Sequence, residues 1–460
     1  MLRAPSRNAP ERYRAITRRT VGKLPQWKAL DRELREAVEV VSRVLPFRVN
    51  EYVVRELIDW DRVPDDPIFQ LTFPQPGMLD PGAFREVRRL AGKESENGDG
   101  TALGELVREI RLSLNPHPAG QMTENVPHLD GELLPGMQHK YRETVLFFPA
   151  RGQTCHAYCT YCFRWAQFVG MPEMKFEARE SDDLVRYLRA HPEVTDVLVT
   201  GGDPLIMKSR MLRAYLEPLL DDPTLDHVQT IRIGTKSVAY WPQRFVTDSD
   251  ADDLLGFFEE IVASGKHVAL MGHYSHPVEI STPMARRAAR RIRDTGAEIR
   301  MQAPLIRRVN DHPHAWGQLW REGVRQGLIP YYMFVERDTG AKNYFEVPLA
   351  RAFQIFQDAF RQMSGLARTV RGPSMSSHPG KVRILGIQEV AGERVFVLDF
   401  LQARNPNWVG RPFFARFDPA ATWLHDLKPA LGETSFFFTR ESEQAGGPRP
   451  RGALPVIPGR

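Results

Sequence analysis

The sequence has very little cysteine: only three residues among 460, and all of them lie between positions 155 and 162. An odd number of cysteines on one short segment argues against a disulfide framework. Low cysteine use and the lack of a recognisable signal peptide lead us to expect a cytoplasmic protein. The clustering of the three thiols on one loop instead predicts a metal site.

The chain also lacks long apolar runs and a strong charge imbalance. No apolar segment approaches the roughly 18 residues of a membrane helix, so we expect no membrane association. The net charge is only +5, and residues 1–24 contain seven basic residues against one acid, Glu11. We interpret residues 1–25 as a basic, solvated tail and predict no nucleic-acid partner. A transit peptide is the alternative for this segment, although it has little serine and no clear apolar face.

The segment GQTCHAYCTYCFRW places Cys155, Cys159 and Cys162 in a C-x3-C-x2-C pattern. A structural zinc ion needs four ligands and would have to recruit His156 or a distant histidine. Three thiolates can instead hold a cubane iron–sulfur cluster with one iron left open for a substrate or cofactor. The spacing favours such an open cluster, with zinc and inert buried thiols as the alternatives.

Six apolar, β-rich segments alternate with amphipathic helical segments from about residue 144 onward. They are TVLFFPA, TDVLVT, VQTIRIG, HVALMG, EIRMQAPLI and IPYYMFV. Strands that alternate with helices form parallel sheets, and right-handed crossovers curl such a sheet into a barrel. We predict an α/β fold: a partial (β/α)6 barrel with a mostly helical N-terminal region and a C-terminal extension.

These patterns divide the chain into five segments. They are the tail 1–25, the helical region 26–135, the barrel 136–390, the extension 391–440 and a Pro- and Gly-rich flexible tail 441–460. The extension contains many aromatic residues and β-like runs. We expect it to cover the barrel or to form an interface in a homo-oligomer.

Polar or glycine-rich segments follow every predicted barrel strand, at the rim where barrel enzymes place their chemistry. The second strand runs into TGGDP at 200–204. There Gly201 and Gly202 permit a ligand to approach the backbone, and Asp203 or nearby carbonyls can accept hydrogen bonds from an ammonium group. Loops are usually polar, so polar residues after a strand do not by themselves indicate a functional site. The cysteine loop and the glycine-rich turn on the first two strands are a more specific indication of one.

With the cysteine loop after the first strand and the glycine-rich turn after the second, the sequence resembles the radical S-adenosylmethionine (SAM) enzymes. The resemblance narrows to the lysine 2,3-aminomutase family. The matching segments, in order, are DDPIFQ, MQHKYRETVLFF, CTYCFR, TGGDPL, RIGT, WPQRF, HYSHPVEI, APLIRRVND, PYYMF and HPGKV. They cover about residues 60–385, and so many ordered matches make a chance resemblance negligible.

The resemblance implies an isomerase that moves the α-amino group of a free amino acid to its β carbon. The implied cofactors are a [4Fe-4S] cluster, SAM and pyridoxal 5′-phosphate (PLP), with flavodoxin or ferredoxin as an electron donor. The three cysteines would hold the cluster. The residues implied to lie near SAM or the other cofactors are Gly201, Gly202, Asp203, Pro204, His273 and Gln302.

For PLP, the resemblance implies that Lys381 attacks the aldehyde, since burial lowers the pKa of an amine towards its neutral form. Tyr141 falls on the position that packs against the PLP ring, and Lys140 on a position that contacts its phosphate. The second phosphate-binding position is Thr144 here, which departs from the family. Arg142 is the nearest basic residue that would replace it.

For the substrate, the resemblance implies that Arg164 binds the α-carboxylate. The two aspartates that hold the far ammonium of lysine in the family fall on Arg337 and Ser374. An arginine at this place repels a lysine side chain, so we expect glutamate or another acidic or polar amino acid. A register shift by one residue would place Asp338 there instead.

Two alternatives stay open at this point. One is a radical SAM enzyme of the same lineage with a different, PLP-independent reaction, which the change at Thr144 and the altered pocket favour. The other is a basic zinc-containing nucleic-acid-binding protein, which predicts zinc in the purified protein and salt-dependent binding. One cysteine triad without a basic, aromatic face argues against the second.

Overall fold

A computed structural model of the chain describes residues 12–97, 101–115, 123–171 and 175–444. Its strands are β1 Ala15–Thr17, β2 Arg48–Asn50, β3 His128–Leu129, β4 Glu132–Leu133, β5 Met137–Tyr141, β6 Thr144–Phe147, β7 Asp196–Val199, β8 Thr230–Thr235, β9 His267–His273, β10 Glu298–Leu305, β11 Ile329–Val335, β12 Arg371–Ser376, β13 Gly380–Val390, β14 Glu393–Ala403 and β15 Phe413–Arg416. Strands β5 to β15 form one sheet in sequential order, while β1 pairs with β2 and β3 with β4.

Six consecutive strands, β6 to β11, run parallel to one another. They coincide with the six apolar segments, and side chains on the face opposite the cavity are fully buried, as with Ile231 and Ile233 on β8, while Arg232 between them lines the cavity. The predicted α/β fold with a partial (β/α)6 barrel is therefore confirmed. Strand β12 adds a seventh parallel strand, and β5 pairs antiparallel with β6 while also contacting β14.

Helices separate the parallel strands and cover the sheet. The helices are α1 Pro25–Ala29, α2 Arg32–Val44, α3 Pro67–Thr72, α4 Pro81–Asn97, α5 Thr101–Leu114, α6 Asp182–Ala190, α7 Ser209–Leu216, α8 Pro218–Asp221, α9 Ser237–Tyr240, α10 Ala251–Ala263, α11 Pro283–Asp294, α12 Pro313–Arg325, α13 Lys342–Phe345, α14 Leu349–Phe360 and α15 Phe437–Gln444. In α11, Thr282 caps the first turn while Ala288 and Ile292 are buried and the arginines mostly face solvent. Within the described ranges, no helix combines the length and the apolar character of a membrane span.

The N-terminal region is mostly helical, as predicted, but its first helix is interrupted. The spacing of Leu30, Leu34, Val38, Val41 and Leu45 predicts one helical stripe over 26–45, whereas α1 stops before Leu30 and α2 begins after Asp31. The Asp31 carboxylate accepts a hydrogen bond from the Leu34 amide at 2.7 Å. An aspartate in this position favours a new helix start over continuation of the preceding helix.

The described part of the predicted basic tail belongs to the fold. Strand β1 pairs with β2, Ile16 and Val21 are buried, and the Tyr13 hydroxyl donates to the His156 carbonyl at 2.9 Å. The prediction of a solvated tail is therefore wrong for residues 12–25, because apolar side chains between the basic residues pack against the core. The rest of the predicted tail, residues 1–11, lies outside the described residues.

The C-terminal extension continues the main sheet. Strands β13, β14 and β15 are antiparallel, and they carry a second hydrophobic core that includes Phe400, Trp408, Phe413 and Phe437. The proposed boundary at 390/391 falls in the turn between β13 and β14, so the extension and the barrel share one sheet. Of the predicted tail 441–460, residues 441–444 belong to α15 and the others lie outside the described residues.

Candidate functional site

A cavity of about 300 Å³ opens at the C-terminal ends of the parallel strands. It brings together most of the residues that the sequence analysis singled out. Those lining it are Lys140, Tyr141, Cys155, Cys159, Cys162, Arg164, Gly201, Gly202, His273, Gln302, Arg337 and Lys381. Three predicted residues, Asp203, Pro204 and Ser374, are buried but are not part of this lining.

The three cysteines lie on the loop that follows β6, and all are free thiols that face the cavity. Two backbone hydrogen bonds connect this loop to the N-terminal region. The Tyr158 amide donates to the Arg48 carbonyl, and the Thr160 amide donates to the Leu71 carbonyl, both at 2.8 Å. Burial raises the pKa of Cys162 to about 12 and also raises the pKa of Cys155 and Cys159.

This donor set fits an iron–sulfur cluster. Thiolates crowded into a buried site are unfavourable by themselves, and a cationic iron cluster supplies the positive charge they lack. In the described part of the chain, no three His, Cys, Asp or Glu side chains are grouped to hold a metal ion. A cubane cluster does not require such a group, because each thiolate binds a different iron.

His156 does not face the cavity and is not placed to complete a zinc site. Its ring stacks on Trp241 and meets the edge of Tyr13, and its Nδ1 lies 2.9 Å from the Ser237 Oγ. Burial lowers its pKa to about 3, so the ring is neutral. His156 therefore has a packing role beside the cluster loop.

The glycine-rich turn after β7 packs directly against the cluster loop. A Cβ on Gly202 would lie 2.4 Å from the Thr154 amide nitrogen, and one on Gly201 would collide with the Gln153 side chain. Gly201 also has a φ of +142°, a conformation that favours glycine. The two glycines therefore allow the two loops to meet, and because both also line the cavity, approach of a ligand to their backbone stays a prediction.

Asp203 has a structural role instead of the predicted contact with an ammonium group. Its carboxylate accepts hydrogen bonds from the Thr235 hydroxyl, from the Lys236 amide and from both the amide and hydroxyl of Ser237, at 2.8–2.9 Å. It also accepts one from the Leu205 amide. Because its oxygens are occupied, Asp203 ties the turn after β7 to the turn after β8.

His273 and Gln302 form one unit at the rim of the cavity. The His273 Nε2 lies 2.9 Å from the Gln302 Nε2, and burial lowers the pKa of His273 to about 3. The ring is therefore neutral. Beside it, Lys236 lines the cavity and pairs with the buried Glu279 at 2.7 Å, and its ammonium also donates to the His273 carbonyl at 3.1 Å.

Lys381, on β13, points into the cavity. Its Nζ donates to the Gln402 Oε1 at 3.0 Å and lies 4.2 Å from the centre of the Tyr332 ring. Burial, with smaller contributions from Arg232 and Arg371, lowers its pKa to about 7. A large fraction of this amine is therefore neutral at physiological pH, as attack on an aldehyde requires.

Tyr141 and Lys140 lie in the same cavity as Lys381 and fit the positions expected for holding PLP. The Lys140 ammonium is 5.4 Å from the centre of the Tyr141 ring and donates to the Ser377 carbonyl. Burial lowers the pKa of Lys140 well below its usual value, and the charges of Arg404 and Arg337 act in the same direction. An anionic phosphate would relieve this mutual repulsion.

The structure does not support the other two phosphate residues we considered. Thr144 lines the cavity, but its hydroxyl donates to Asp196 at 2.8 Å, and Asp196 in turn pairs with Arg232. Arg142 is exposed and does not line the cavity, so the suggestion that it replaces a phosphate ligand is wrong. The β5–β6 turn directs it to solvent.

Two arginines line the cavity next to the cluster loop. Arg164 lies with its guanidinium 4.4 Å from the Phe148 ring and 4.9 Å from the Phe163 ring, and burial lowers its pKa to about 10. Arg337 lies 5.2 Å from the same Phe163 ring. Its Nε and Nη2 are buried and have no acceptor among the described residues.

The structure also settles which neighbours of Arg337 face the cavity. Glu336 and Arg337 line it, whereas Asp338 does not, and this favours Arg337 over Asp338 as the residue that meets the substrate side chain. Ser374 is fully buried behind the wall, where its hydroxyl lies 3.5 Å from the Met333 carbonyl. Ser376, two residues further along β12, lines the cavity instead.

Sequence reasoning missed several residues of this site. Lys236 directly follows Thr235, the last residue of β8. The rule that residues after barrel strands gather at the C-terminal rim would therefore have identified Lys236 as a site residue. Glu336 directly follows β11 and lines the cavity, and burial raises its pKa well above the usual value. Gln402 comes from the C-terminal extension and lines the cavity, and no local signal in the sequence connects it with the barrel. Arg404, from the same extension, does not line the cavity, but its charge lowers the pKa of Lys140.

Comparisons with known proteins decide the family. No family model matches the chain. A protein of Aquifex aeolicus, provisionally named L-lysine 2,3-aminomutase, is 30% identical over 401 residues, which cover 87% of this chain and 92% of that protein. The chain belongs to the lysine 2,3-aminomutase family.

Two other relatives agree with this family. The L-lysine 2,3-aminomutase of Acetoanaerobium sticklandii is 29% identical over 56% of this chain and 58% of its own length. That of Bacillus subtilis is 28% identical over 57% of this chain and 52% of its own length. The chain thus spans little more than half of these two aminomutases.

Two solved structures are similar over 47% of the chain. One is anSMEcpe with bound AdoMet and a peptide, with 13% identity, 58% of that chain covered and a TM-score of 0.34. The other is the radical SAM methyltransferase TsrM from Kitasatospora setae with cobalamin and a [4Fe-4S] cluster, with 14% identity, 42% covered and a TM-score of 0.29.

Membership of the aminomutase family makes the chain an isomerase of the radical SAM superfamily. For the aminomutase reaction this implies SAM, a [4Fe-4S] cluster and PLP. The family thereby accounts for the cysteine loop and the rim cavity together.

Proposed function

We propose that this chain is a PLP-dependent 2,3-aminomutase that acts on a free acidic amino acid such as glutamate. The observation that carries the proposal is Arg337, whose guanidinium lines the cavity with two buried nitrogens lacking an acceptor among the described residues. A buried donor without an acceptor is costly, and a substrate carboxylate would satisfy it with charge-assisted hydrogen bonds.

When bound, the cluster and SAM supply a hydrogen-abstracting radical, and PLP supplies electron delocalisation at the substrate nitrogen. The protein's own residues bind and orient. Cys155, Cys159 and Cys162 would hold the cluster, and Lys381 and Tyr141 would hold PLP across the cavity. Arg164 would bind the α-carboxylate, leaving Arg337 to select the side chain.

The charges around the cavity support an acidic substrate. The cations Arg232 and Lys236 already have carboxylate partners, while Arg164 and Arg337 have no ion pair within the described ranges. Glu336 is the acid that lines the cavity, and burial raises its pKa well above the usual value, which favours the neutral carboxyl form. A lysine ammonium placed here would face the charges of Arg164 and Arg337, which the neighbouring Asp338 offsets only in part.

The substrate proposal is tested by turnover. The full chain is reconstituted anaerobically with iron, sulfide, PLP and SAM, reduced with dithionite, and given glutamate or lysine at equal concentration. We expect a β-amino product from glutamate, with kcat/KM at least about 100-fold higher than for lysine, because an unpaired buried charge costs several kcal/mol. Faster turnover of lysine overturns the charge argument.

Changing Arg337→Asp should reverse this selectivity. We expect kcat/KM for glutamate to fall about 100-fold or more and that for lysine to rise, since the substitution inverts the charge that meets the substrate side chain. Arg337→Lys is the matched control, because it keeps the charge and should still prefer glutamate. An equal loss for both substrates would show that Arg337 does not select the side chain.

The pKa of Lys381 predicts how PLP attachment depends on pH. Because the folded-state pKa is lowered from 10.5 to about 7, the reactive neutral amine increases as pH rises through 7. We expect the rate of attachment, measured by borohydride trapping and mass spectrometry, to be half-maximal near pH 7 and level by about pH 8.5. A rate that still rises steeply above about pH 9 would indicate an ordinary exposed lysine.

A radical SAM enzyme of this lineage without PLP is the second candidate. The observation in its favour is the Thr144 hydroxyl, which is engaged by Asp196 and leaves one family phosphate contact unfilled. This second candidate predicts that PLP does not attach covalently at any pH, while cleavage of SAM stays intact. The trapping experiment therefore separates the two functions.

A further inference from the structure

Arg48, in the N-terminal region, reaches across to the cluster loop. Its Nη1 donates to the Thr154 Oγ1 at 2.7 Å and to the Cys155 carbonyl at 3.3 Å. Its guanidinium also lies 5.0 Å from the centre of the Tyr158 ring. In return, its own carbonyl accepts from the Tyr158 amide at 2.8 Å. Both ends of Arg48 therefore hold the segment that carries the first cysteine.

The hydrogen bonds of the Arg48 guanidinium to the described residues go to neutral acceptors. Its Nε is buried and has no acceptor within the part of the chain that the structure describes. Among the described residues, Nη1 donates to two neutral groups, the Thr154 hydroxyl and the Cys155 carbonyl. A fixed positive charge thus lies against the backbone of Cys155.

We propose that Arg48 is a positioning residue for the cluster, and that its charge raises the cluster's reduction potential. The proposal rests on the assignment of Cys155, Cys159 and Cys162 as cluster ligands. Reduction adds one electron to the cluster, so a nearby fixed cation stabilises the reduced form more than the oxidised form. Groups around the ligands tune metal sites in this way.

The experiment compares Arg48→Gln, Arg48→Met and Arg48→Lys in the full chain after anaerobic reconstitution. The readouts are iron and labile sulfide content and the midpoint of a potentiometric titration followed by electron paramagnetic resonance. We expect the two neutral variants to show a reduction equilibrium about tenfold less favourable, which is about 59 mV more negative for a one-electron couple. Arg48→Lys should stay within about twofold of the parent protein.

Arg32→Gln is the matched control, because it removes one positive charge from an exposed position of α2. It should leave the potential unchanged. The proposal is also supported if the neutral variants do not take up the cluster while the Arg48→Lys protein does, because the positive charge is then required for cluster binding.

Neutral variants with full sulfide content and an unchanged potential overturn the proposal. An Arg48→Lys protein that does not take up the cluster also overturns the proposal, since the positive charge alone is then insufficient. A parent protein without labile sulfide would instead refute the cluster assignment itself, which keeps the two failures distinct.

Discussion

Replacing Cys159 by alanine should remove the cluster and stop SAM cleavage. The chain has three cysteines, all facing one cavity, so no other thiol can replace the missing ligand. We expect labile sulfide to fall to background after anaerobic reconstitution. Release of 5′-deoxyadenosine under dithionite should drop at least about 1,000-fold, because no other group of the protein supplies this chemistry.

Thr160→Val is the matched control for this experiment. It changes the neighbouring residue on the same loop, keeps the three thiols and removes only the hydrogen bond from the Thr160 hydroxyl to the Gln70 carbonyl. Its iron and sulfide content should match the parent protein. A Cys159→Ala protein that retains full labile sulfide, or a parent protein that contains zinc and no sulfide, contradicts the assignment.

The fold could be predicted well where the pattern is local. Continuous apolar, β-branched segments are typical of strands buried on both faces, and all six of them form parallel strands. The errors occurred where distant contacts decide the structure. Residues 12–25 are basic in composition, but Ile16 is buried in β1, whose partner strand β2 begins 31 residues after β1 ends.

The site could be predicted where strand ends define it, since the C-terminal ends of parallel strands meet at one rim. Side-chain direction was the part that spacing did not determine. Asp203 directly follows the lining residue Gly202, but its carboxylate is held by Thr235 and Ser237. Ser374 lies two residues before the lining residue Ser376, yet it is fully buried. Arg142 is close in sequence to Tyr141, yet the turn carries it to the surface.

The role of the C-terminal extension also depends on contacts between residues that are distant in sequence. Lys381 was identified by its motif, but the hydrogen-bond partner of its amine, Gln402, lies on the neighbouring strand β14. Pairing between β13 and β14 is a tertiary contact that aligns Lys381 with Gln402. Without the sheet, the extension appeared as a cover, whereas it supplies part of the wall of the cavity.

Replacing Lys381 by alanine should abolish covalent attachment of PLP and lower β-amino product formation at least about 1,000-fold. The cluster lies on another loop, so iron and sulfide content should be unchanged. Lys381→Arg tests the chemistry separately: it keeps a cation in the cavity but offers no amine that can attack an aldehyde, and it should be as inactive as the alanine variant.

The exposed Lys28, changed to alanine, provides the control for loss of a lysine elsewhere. It should keep both the borohydride-trapped PLP and the activity. Peptide mapping of the trapped parent protein should locate the modification on Lys381, whose pKa of about 7 makes it far more reactive than lysines near 10.5. A Lys381→Ala protein that still traps PLP and still turns over an amino acid shows that another amine does this work, and the geometry around Gln402 and Tyr332 would then have only a structural role.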